Sequence, residues 1–326
     1  PLEKNVIAQM GEMLAKYEDQ GYVIVQGLLD PEADLRPVVD EYTGLLDGLA
    51  RQWHEDGTIS DRHEGLPFGQ RLVRIASETG GAYYQPFDIS LPQRDISEDT
   101  PMHHGPAAFN LLRNPKLLDA VEAFVGPEVY SNPVQHVRLK PPERCLPAKD
   151  LGNAAISRTY WHQDQGVMTE DADDSNILTV WVPITEATVE NGCLEVVPRS
   201  HHAGLGPHCF TPTSKGLPEV HVGDTRVPLP MSPGDVLFMT RLTKHGSLSN
   251  ETDEIRWSFD LRYSPIGQPT GRRWFPGFVA RSRANPESEL GDGSVWARKW
   301  AEARSALSRG ETPNFHRWDP NDPMCA

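Results

Sequence analysis

Tyr160-Trp161-His162-Gln163-Asp164 sets an imidazole and a carboxylate two residues apart in a run that reads as a strand. Side chains of an extended run alternate faces, so His162 and Asp164 point one way and Gln163 the other. Two donors on one face can reach one metal ion. A second imidazole, His245, follows the apolar run Val236-Leu237-Phe238-Met239, within Lys244-His245-Gly246-Ser247. Two histidines and one carboxylate form a facial triad, which leaves three positions open on ferrous iron for a bidentate co-substrate and O2. Arg256 stands eleven residues after His245, where it can form a bidentate, charge-assisted pair with a carboxylate of that co-substrate. The same donors suit catalytic zinc, but a zinc hydrolase gives Arg256 no role. A barrel that only binds leaves the intact triad without one.

The elements that hold these residues are short and β-rich. Arg256 to Tyr263 alternates strictly: Trp257, Phe259, Leu261 and Tyr263 are apolar, while Arg256, Ser258, Asp260 and Arg262 are polar. Burying one face leaves the other in water or in a polar cavity. The polar turn between His245 and Arg256 predicts a hairpin that makes them cross-strand neighbours. Arg262 shares the polar face and can meet a second anion or pair with Asp260. Further strands are expected at Val129–Tyr130, Val134–Leu139, Arg158–Asp164, Ile177–Val182, Leu194–Val197 and Val236–Thr240. Turn clusters such as Glu190-Asn191-Gly192 separate them, and the pattern predicts an antiparallel sandwich or barrel.

Before residue 126 the periodicity is mostly helical. Val6, Ile7, Met10, Met13, Leu14 and Tyr17 form one stripe, ended by Gly21. Tyr22–Val25 reads as a strand, and Pro31–Glu55 and 106–124 as helices. Arg71–Ile75 and Tyr83–Ile89 read as short strands among loops, and Ser294–Ser308 as a late helix. Helices first and strands later, without βαβ alternation, exclude Rossmann and TIM architectures.

With 31 Lys+Arg against 46 Asp+Glu, the 326 residues carry a formal charge of −15. That argues against gripping nucleic acid or an anionic membrane, both of which need a basic face. No stretch is apolar enough for a membrane span and the first residues do not read as a signal peptide. Cys145, Cys193, Cys209 and Cys325 are far apart and form no CxxC pair, which predicts no disulfide framework and a cytoplasmic location. Asn250-Glu251-Thr252 matches a glycosylation acceptor by chance.

In this combination the chain resembles the phytanoyl-CoA dioxygenase-like (PhyH) branch of the Fe(II)/2-oxoglutarate-dependent oxygenases. The motifs that carry the resemblance are GYVIVQGLL, NPKLLDAVEAFVGPEV, HQD, VENGCLEVVPRSH, SPGDVLFM and HGSLSN followed by Arg256, and they span most of the chain. YWHQD with VENGC looks closest to bacterial members grouped with secondary-metabolite tailoring. The resemblance implies a mainly β fold with flanking helices, a double-stranded β-helix of the jelly-roll, cupin-like kind. It implies one domain over 1–326: helical packing over 1–126, jelly-roll core over 127–265, loops and a helix over 266–326.

It further implies that His162, Asp164 and His245 bind Fe(II), and that Arg256, helped by Ser247 or Ser258, holds the distal carboxylate of 2-oxoglutarate. Trp181 falls beside that co-substrate, and Gln135 falls where it meets the 1-carboxylate. O2 is then consumed with decarboxylation to succinate and CO2, and a hydrogen is abstracted from a small-molecule substrate. Hydroxylation is the usual outcome; desaturation, epimerisation and ring formation begin from the same step. Asp164 disfavours halogenation, since halogenating relatives have a small residue there. Arg272-Arg273 with Arg281 and Arg283, in the C-terminal loops, is a candidate cluster for CoA phosphates, but surface solvation is the preferred reading, with a non-CoA metabolite as substrate.

Other suggestive groups read as structural. Adjacent histidines of a strand face opposite ways, so His103-His104 and His201-His202 are expected in loops. The acidic run Glu170–Asp174 lacks the alternate-ligand spacing of a calcium loop and is expected as a solvated lid. Cys193, Trp274, Trp296 and Trp300 are expected to pack.

Overall fold

A computed structural model of the chain describes residues 2–211, 214–311 and 313–325, with the side chains of 2–9 outside the description. Six α-helices are described: α1 (Leu2–Gln20), α2 (Arg36–Glu55), α3 (Phe68–Thr79), α4 (Pro106–Leu112), α5 (Pro115–Val125) and α6 (Gly293–Arg309). The strands are β1 (Tyr22–Val25), β2 (Glu128–Lys140), β3 (Leu178–Pro183), β4 (Leu194–Val196), β5 (Cys209–Phe210) and β6 (Lys215–Gly216). They continue as β7 (Val227–Leu229), β8 (Val236–Thr240), β9 (His245–Ser247), β10 (Arg256–Pro265) and β11 (Phe278–Ser282). An antiparallel sheet in the order β1-β8-β3-β10-β2-β11 and a three-stranded sheet β7-β4-β9 make a jelly roll. The large sheet reaches past the expected 127–265 core at both edges, through β1 and β11.

Strand alternation decides what each face meets. Trp257, Phe259, Leu261 and Tyr263 of β10 are buried in the main core together with Val180 and Val182 of β3 and Phe238 of β8. Helix α2 supplies the opposing surface through Val38, Tyr42, Leu46 and Ala50, a four-residue repeat on one helix face. Tyr42 lies 5.1 Å from Trp257, ring centre to ring centre. The other faces of β3 and β8 present Trp181, Leu237 and Met239 to β4, and the polar residues of β10 turn into the barrel. Helices therefore coat one side of the large sheet and leave its other side for chemistry.

Several expectations shift. Arg71–Ile75 lies in α3, because Leu72, Ile75 and Ala76 repeat at helical spacing and are buried together. Tyr83–Ile89 forms 3-10 turns, not a strand. The helix expected over 106–124 is two: the residue before a proline avoids helical geometry, so the chain breaks before Pro115. Asn114 restarts it by accepting bonds from the amides of Lys116 and Leu117. Asn114→Ala should cost about 1 kcal/mol, read as a lower urea midpoint with an unchanged slope. Met13 and Tyr17 of the α1 stripe pack on the core, Met10 is exposed, and the Val6 and Ile7 side chains lie outside the described residues.

Gly21 ends α1 as expected, at φ +85°; a Cβ there would lie 2.5 Å from both the His201 ring and Thr243 Oγ1. Cys209 and Cys325 form a disulfide, contrary to expectation. Their separation of 116 residues hides the contact, which exists because the C-terminal segment folds back onto β5. No described helix is long and apolar enough to cross a membrane.

Candidate active site

His162, Asp164 and His245 converge, with one donor atom from each lying within 4.8 Å of the others. Among the described residues this is the one group of three or more His, Cys, Asp or Glu that could hold a metal ion. The Arg158–Asp164 run is not a regular strand. It lies along β9 through a single bridge, His162 to His245, with backbone bonds of 2.8 and 3.0 Å, and turns into a 3-10 helix at Asp164. His162 and Asp164 nevertheless face the same point: Asp164 Oδ1 lies 3.6 Å from His162 Nε2 and 3.8 Å from His245 Nε2.

The histidine tautomers are set from behind. His162 Nδ1 donates to the Tyr160 carbonyl at 2.9 Å and His245 Nδ1 to the Thr243 carbonyl at 3.0 Å. A proton on Nδ1 leaves the Nε2 lone pair for a metal. Burial, then the charge of His162, pulls His245 down to about 4. A ligand imidazole must be neutral, and His245 stays so through mildly acid pH. Asp164 is fully buried. Burial works against its charge, but the Arg262 guanidinium and both imidazoles outweigh it and hold the carboxyl well below the usual range. Arg262 donates through Nη2 to Oδ1 at 2.7 Å and through Nε to Oδ2 at 3.3 Å, and Thr179 also donates to Oδ2. Arg262 therefore pairs with Asp164; Asp260 pairs with Arg138 instead, at 3.3 Å.

The expected hairpin between His245 and Arg256 does not form: β9 belongs to the small sheet and β10 to the large one. The link between the two strands runs through Lys140 of β2, paired in register with Arg256 and bonded to Ser247 of β9. Arg256 is buried, donates to Ser258 Oγ at 2.8 Å, and lies 5.4 Å from the Trp181 ring. Burial pulls it down to about 10. Its register partner on β2 is Lys140, also buried, whose Nζ donates to Thr159 Oγ1 at 2.7 Å and Ser247 Oγ at 3.1 Å. Burial, then Arg256 and Arg138, holds the Lys140 ammonium well below its usual range. Neither cation forms an ion pair among the described residues. Arg256 Nε and Trp181 Nε1 are buried donors without acceptors. Buried charges left in this state are costly unless a ligand completes them. Donors of this kind suit a carboxylate.

Ser258 and Trp181 thus lie at Arg256, and Ser247 at Lys140 beside it in register. Gln135 does not: its Nε2 donates to the Ile89 carbonyl at 3.1 Å, while its neighbours Val134 and His136 line the cavity. Lys140 was not anticipated, although His136, Arg138 and Lys140 alternate along β2 just as the polar residues of β10 do. His208 was missed as well. Its Nε2 accepts from the Gln163 amide at 2.9 Å and its Nδ1 donates to the Gly206 carbonyl at 3.0 Å, bracing the residue between His162 and Asp164.

Accepting at Nε2 requires a neutral ring, and burial pulls His208 down to about 4. An unfolded histidine takes its proton near 6.5, so the unfolded chain binds protons first. Stability should fall as pH drops from about 6.5 towards 4. Urea midpoints at pH 7 and 5 test this, and His208→Asn should shrink the difference between them.

The remaining groups are structural. His201 and His202 bond to the Glu18 and Asp19 carbonyls, and His103 pairs with Glu41. Asp173, in the acidic run, is tied to Arg317 at 2.6 Å and to Gln165 at 2.6 Å. Cys193, Trp296 and Trp300 are buried in cores. Asn250 is buried and donates to the Lys140 carbonyl at 3.0 Å, which is no position for a glycan.

The family model for phytanoyl-CoA dioxygenase (PhyH) matches residues 17–258. Human peroxisomal phytanoyl-CoA dioxygenase is 25% identical over 272 residues, covering 81% of this chain and 70% of that protein. Among solved structures, the non-heme monooxygenase ThoJ in its apo form superposes with a TM-score of 0.51 at 18% identity, over 91% of this chain and 98% of its own. The epimerase SnoN, solved with Fe3+, alpha ketoglutarate and nogalamycin RO, gives 0.50 at 22% identity, over 81% and 88%. Family and fold agree with the donor set at the barrel centre: the chain belongs to the phytanoyl-CoA dioxygenase family and is an oxygenase that uses Fe(II), 2-oxoglutarate and O2.

Proposed function

We propose that the protein hydroxylates a small organic molecule, with His162, Asp164 and His245 as iron ligands and Arg256 with Lys140 as the seat of the distal carboxylate of 2-oxoglutarate. The observation that carries this reading is the pair of buried cations without a carboxylate of their own, one of them bonded to Ser247 on the strand that carries His245. Fe(II), when bound, supplies the O2 activation that couples 2-oxoglutarate decarboxylation to oxidation of a substrate C–H bond. The chain's residues do the positioning. Arg262 and Thr179 aim the Asp164 carboxylate, the Tyr160 and Thr243 carbonyls fix the two imidazoles, and Ser258 orients Arg256. Trp181 covers the guanidinium and keeps water from it.

The substrate would enter the cavity of about 620 Å³ that opens on His162 and Arg262, a size suited to a drug-sized molecule. The test is succinate formation from 2-oxoglutarate under air with the Fe(II)-loaded protein. Turnover that stops on chelation and gives a product heavier by one oxygen supports hydroxylation. Absence of turnover across a metabolite panel, with iron bound stoichiometrically, overturns it.

A further inference from the structure

The walls of that cavity carry a charge pattern opposite to the molecule's. Arg94, Arg138, Lys215, Arg262 and Arg272 line it, against the single carboxylate of Asp88. Most of these charges are accounted for. Asp88 faces His136 at 2.9 Å, Arg138 faces Asp260, and Arg262 faces Asp164. Arg94 is exposed to solvent. Arg272 and Lys215 are different, because neither forms an ion pair among the described residues and neither is free in water.

Arg272 is only 2% exposed. Its guanidinium lies over a pair of touching aromatic rings, 5.8 Å from Phe275 and 5.6 Å from Phe315. One bond, from Nη2 to the Val167 carbonyl at 2.7 Å, holds it beside the turn that begins at Asp164. Its Nε is a buried donor with no acceptor. Lys215 lies half-buried against the Phe210 ring, Nζ 5.6 Å from the ring centre. Burial, and then the nearby Arg272, pulls the Lys215 ammonium down to about 8. Two cations on the wall of one cavity, neither paired with a carboxylate and one with a donor of its fork unfilled, suit an oxyanion.

We propose that the substrate carries a carboxylate or a phosphoryl-type oxyanion that seats between Arg272 and Lys215, with its apolar part against Phe210 and Phe315. This seat is separate from the one at Arg256 and Lys140, and it rests on the reading of the cavity as the substrate pocket of the oxygenase. It places the anchor inside the cavity, not on the surface beside Arg281 and Arg283, which are committed to Glu122 at 3.1 and 2.8 Å.

The test uses full-length protein loaded with Fe(II) and saturating 2-oxoglutarate under nitrogen, so that the first anion seat is filled. Phenylphosphonate, phenylacetate and neutral phenylacetamide are titrated by calorimetry. At least one of the two anions should bind at one site per chain, roughly tenfold or more tighter than the amide; the tighter of the two identifies the oxyanion class. Arg272→Gln and Lys215→Gln, each accepted as folded on its far-UV spectrum, should weaken the anions by roughly tenfold and leave the amide unmoved. The seat is overturned if the amide binds as well as both anions, if neither anion binds at millimolar concentration, or if Lys215→Gln and a folded Arg272→Gln bind as wild type does. Binding of 2-oxoglutarate to the Fe(II) protein is read separately, from the iron-to-ligand charge-transfer band. Its absence overturns the oxygenase reading; its presence without anion binding overturns the seat alone.

Discussion

Asp164→Ala is expected to bring 2-oxoglutarate turnover down to that of free Fe(II) and to cost about 3–5 kcal/mol of folding free energy even without metal. Two separate losses are involved. The first is a ligand: with Asp164 gone, two imidazoles remain to hold the ion. The second is electrostatic, since Arg262 is 6% exposed and makes its ion pair with Asp164. Removing the carboxylate leaves a buried guanidinium whose one remaining acceptor is the Val134 carbonyl at 3.3 Å.

A double variant separates the two losses. Asp164→Ala with Arg262→Met replaces the pair by apolar groups, which is often neutral for stability. It should recover most of the lost folding free energy and none of the turnover. Arg262→Met alone keeps the ligand but frees its orientation, and iron affinity should fall by roughly tenfold to a hundredfold. Urea denaturation of metal-free protein and iron titration read the two effects independently. Equal stability of all three variants would show that the pair does not hold the site together.

Lys140→Met should do the reverse: stabilise the empty protein by about 1–3 kcal/mol and weaken 2-oxoglutarate by roughly tenfold to a hundredfold. The ammonium is buried against hydroxyls, without a carboxylate, and an apolar side chain of similar length removes that penalty. With 2-oxoglutarate bound the charge is matched and the lysine is favourable. Arg256→Ala should lose a comparable factor in 2-oxoglutarate affinity without the gain in stability, because it leaves a cavity as well as removing a charge.

Lys140 also predicts a slope with pH. Its folded value is depressed well below 10.5 by burial and by Arg256 and Arg138. Between that depressed value and about 10.5 the unfolded chain holds the extra proton, so stability of the empty protein rises with pH across that window. Lys140→Met should flatten the rise. Thermal or urea midpoints measured with and without 2-oxoglutarate check both statements, and a stability loss in the empty protein would exclude the unmatched charge.

The site was more legible than the scaffold. Donor types and order pointed to His162, Asp164 and His245, which the fold brings together, and to Arg256, which it buries, because metal and carboxylate chemistry restricts which side chains can serve. Their pairing was not legible. The sequence between His245 and Arg256 looks like a hairpin turn, yet it carries the chain from one sheet to the other. Arg262 looked equally suited to Asp260 or a second anion, and only the barrel's closure brings it to Asp164. Lys140 shared the alternation that marked β10, but its role appears only when the register sets it opposite Arg256. Strands and helices in the first third were harder still: Leu72, Ile75 and Ala76 support a short strand or a helix until their common burial decides.

Pro313, Asn314, Phe315 and His316 wall the cavity. They are held by the ion pair of Arg317 with Asp173, the bond from Trp318 to the Gly166 carbonyl at 2.6 Å, and the disulfide. These residues lie outside the matched family region of 17–258, whereas His162, Asp164, His245, Lys140 and Arg256 lie inside it, as do the cavity residues Phe210 and Lys215. The cavity is thus walled partly from inside the family region and partly from the segment beyond it. Exchanging residues 313–325 between relatives should therefore re-face one wall of the cavity and leave the others in place, with Arg272, 5.6 Å from the Phe315 ring, at the joint between graft and barrel.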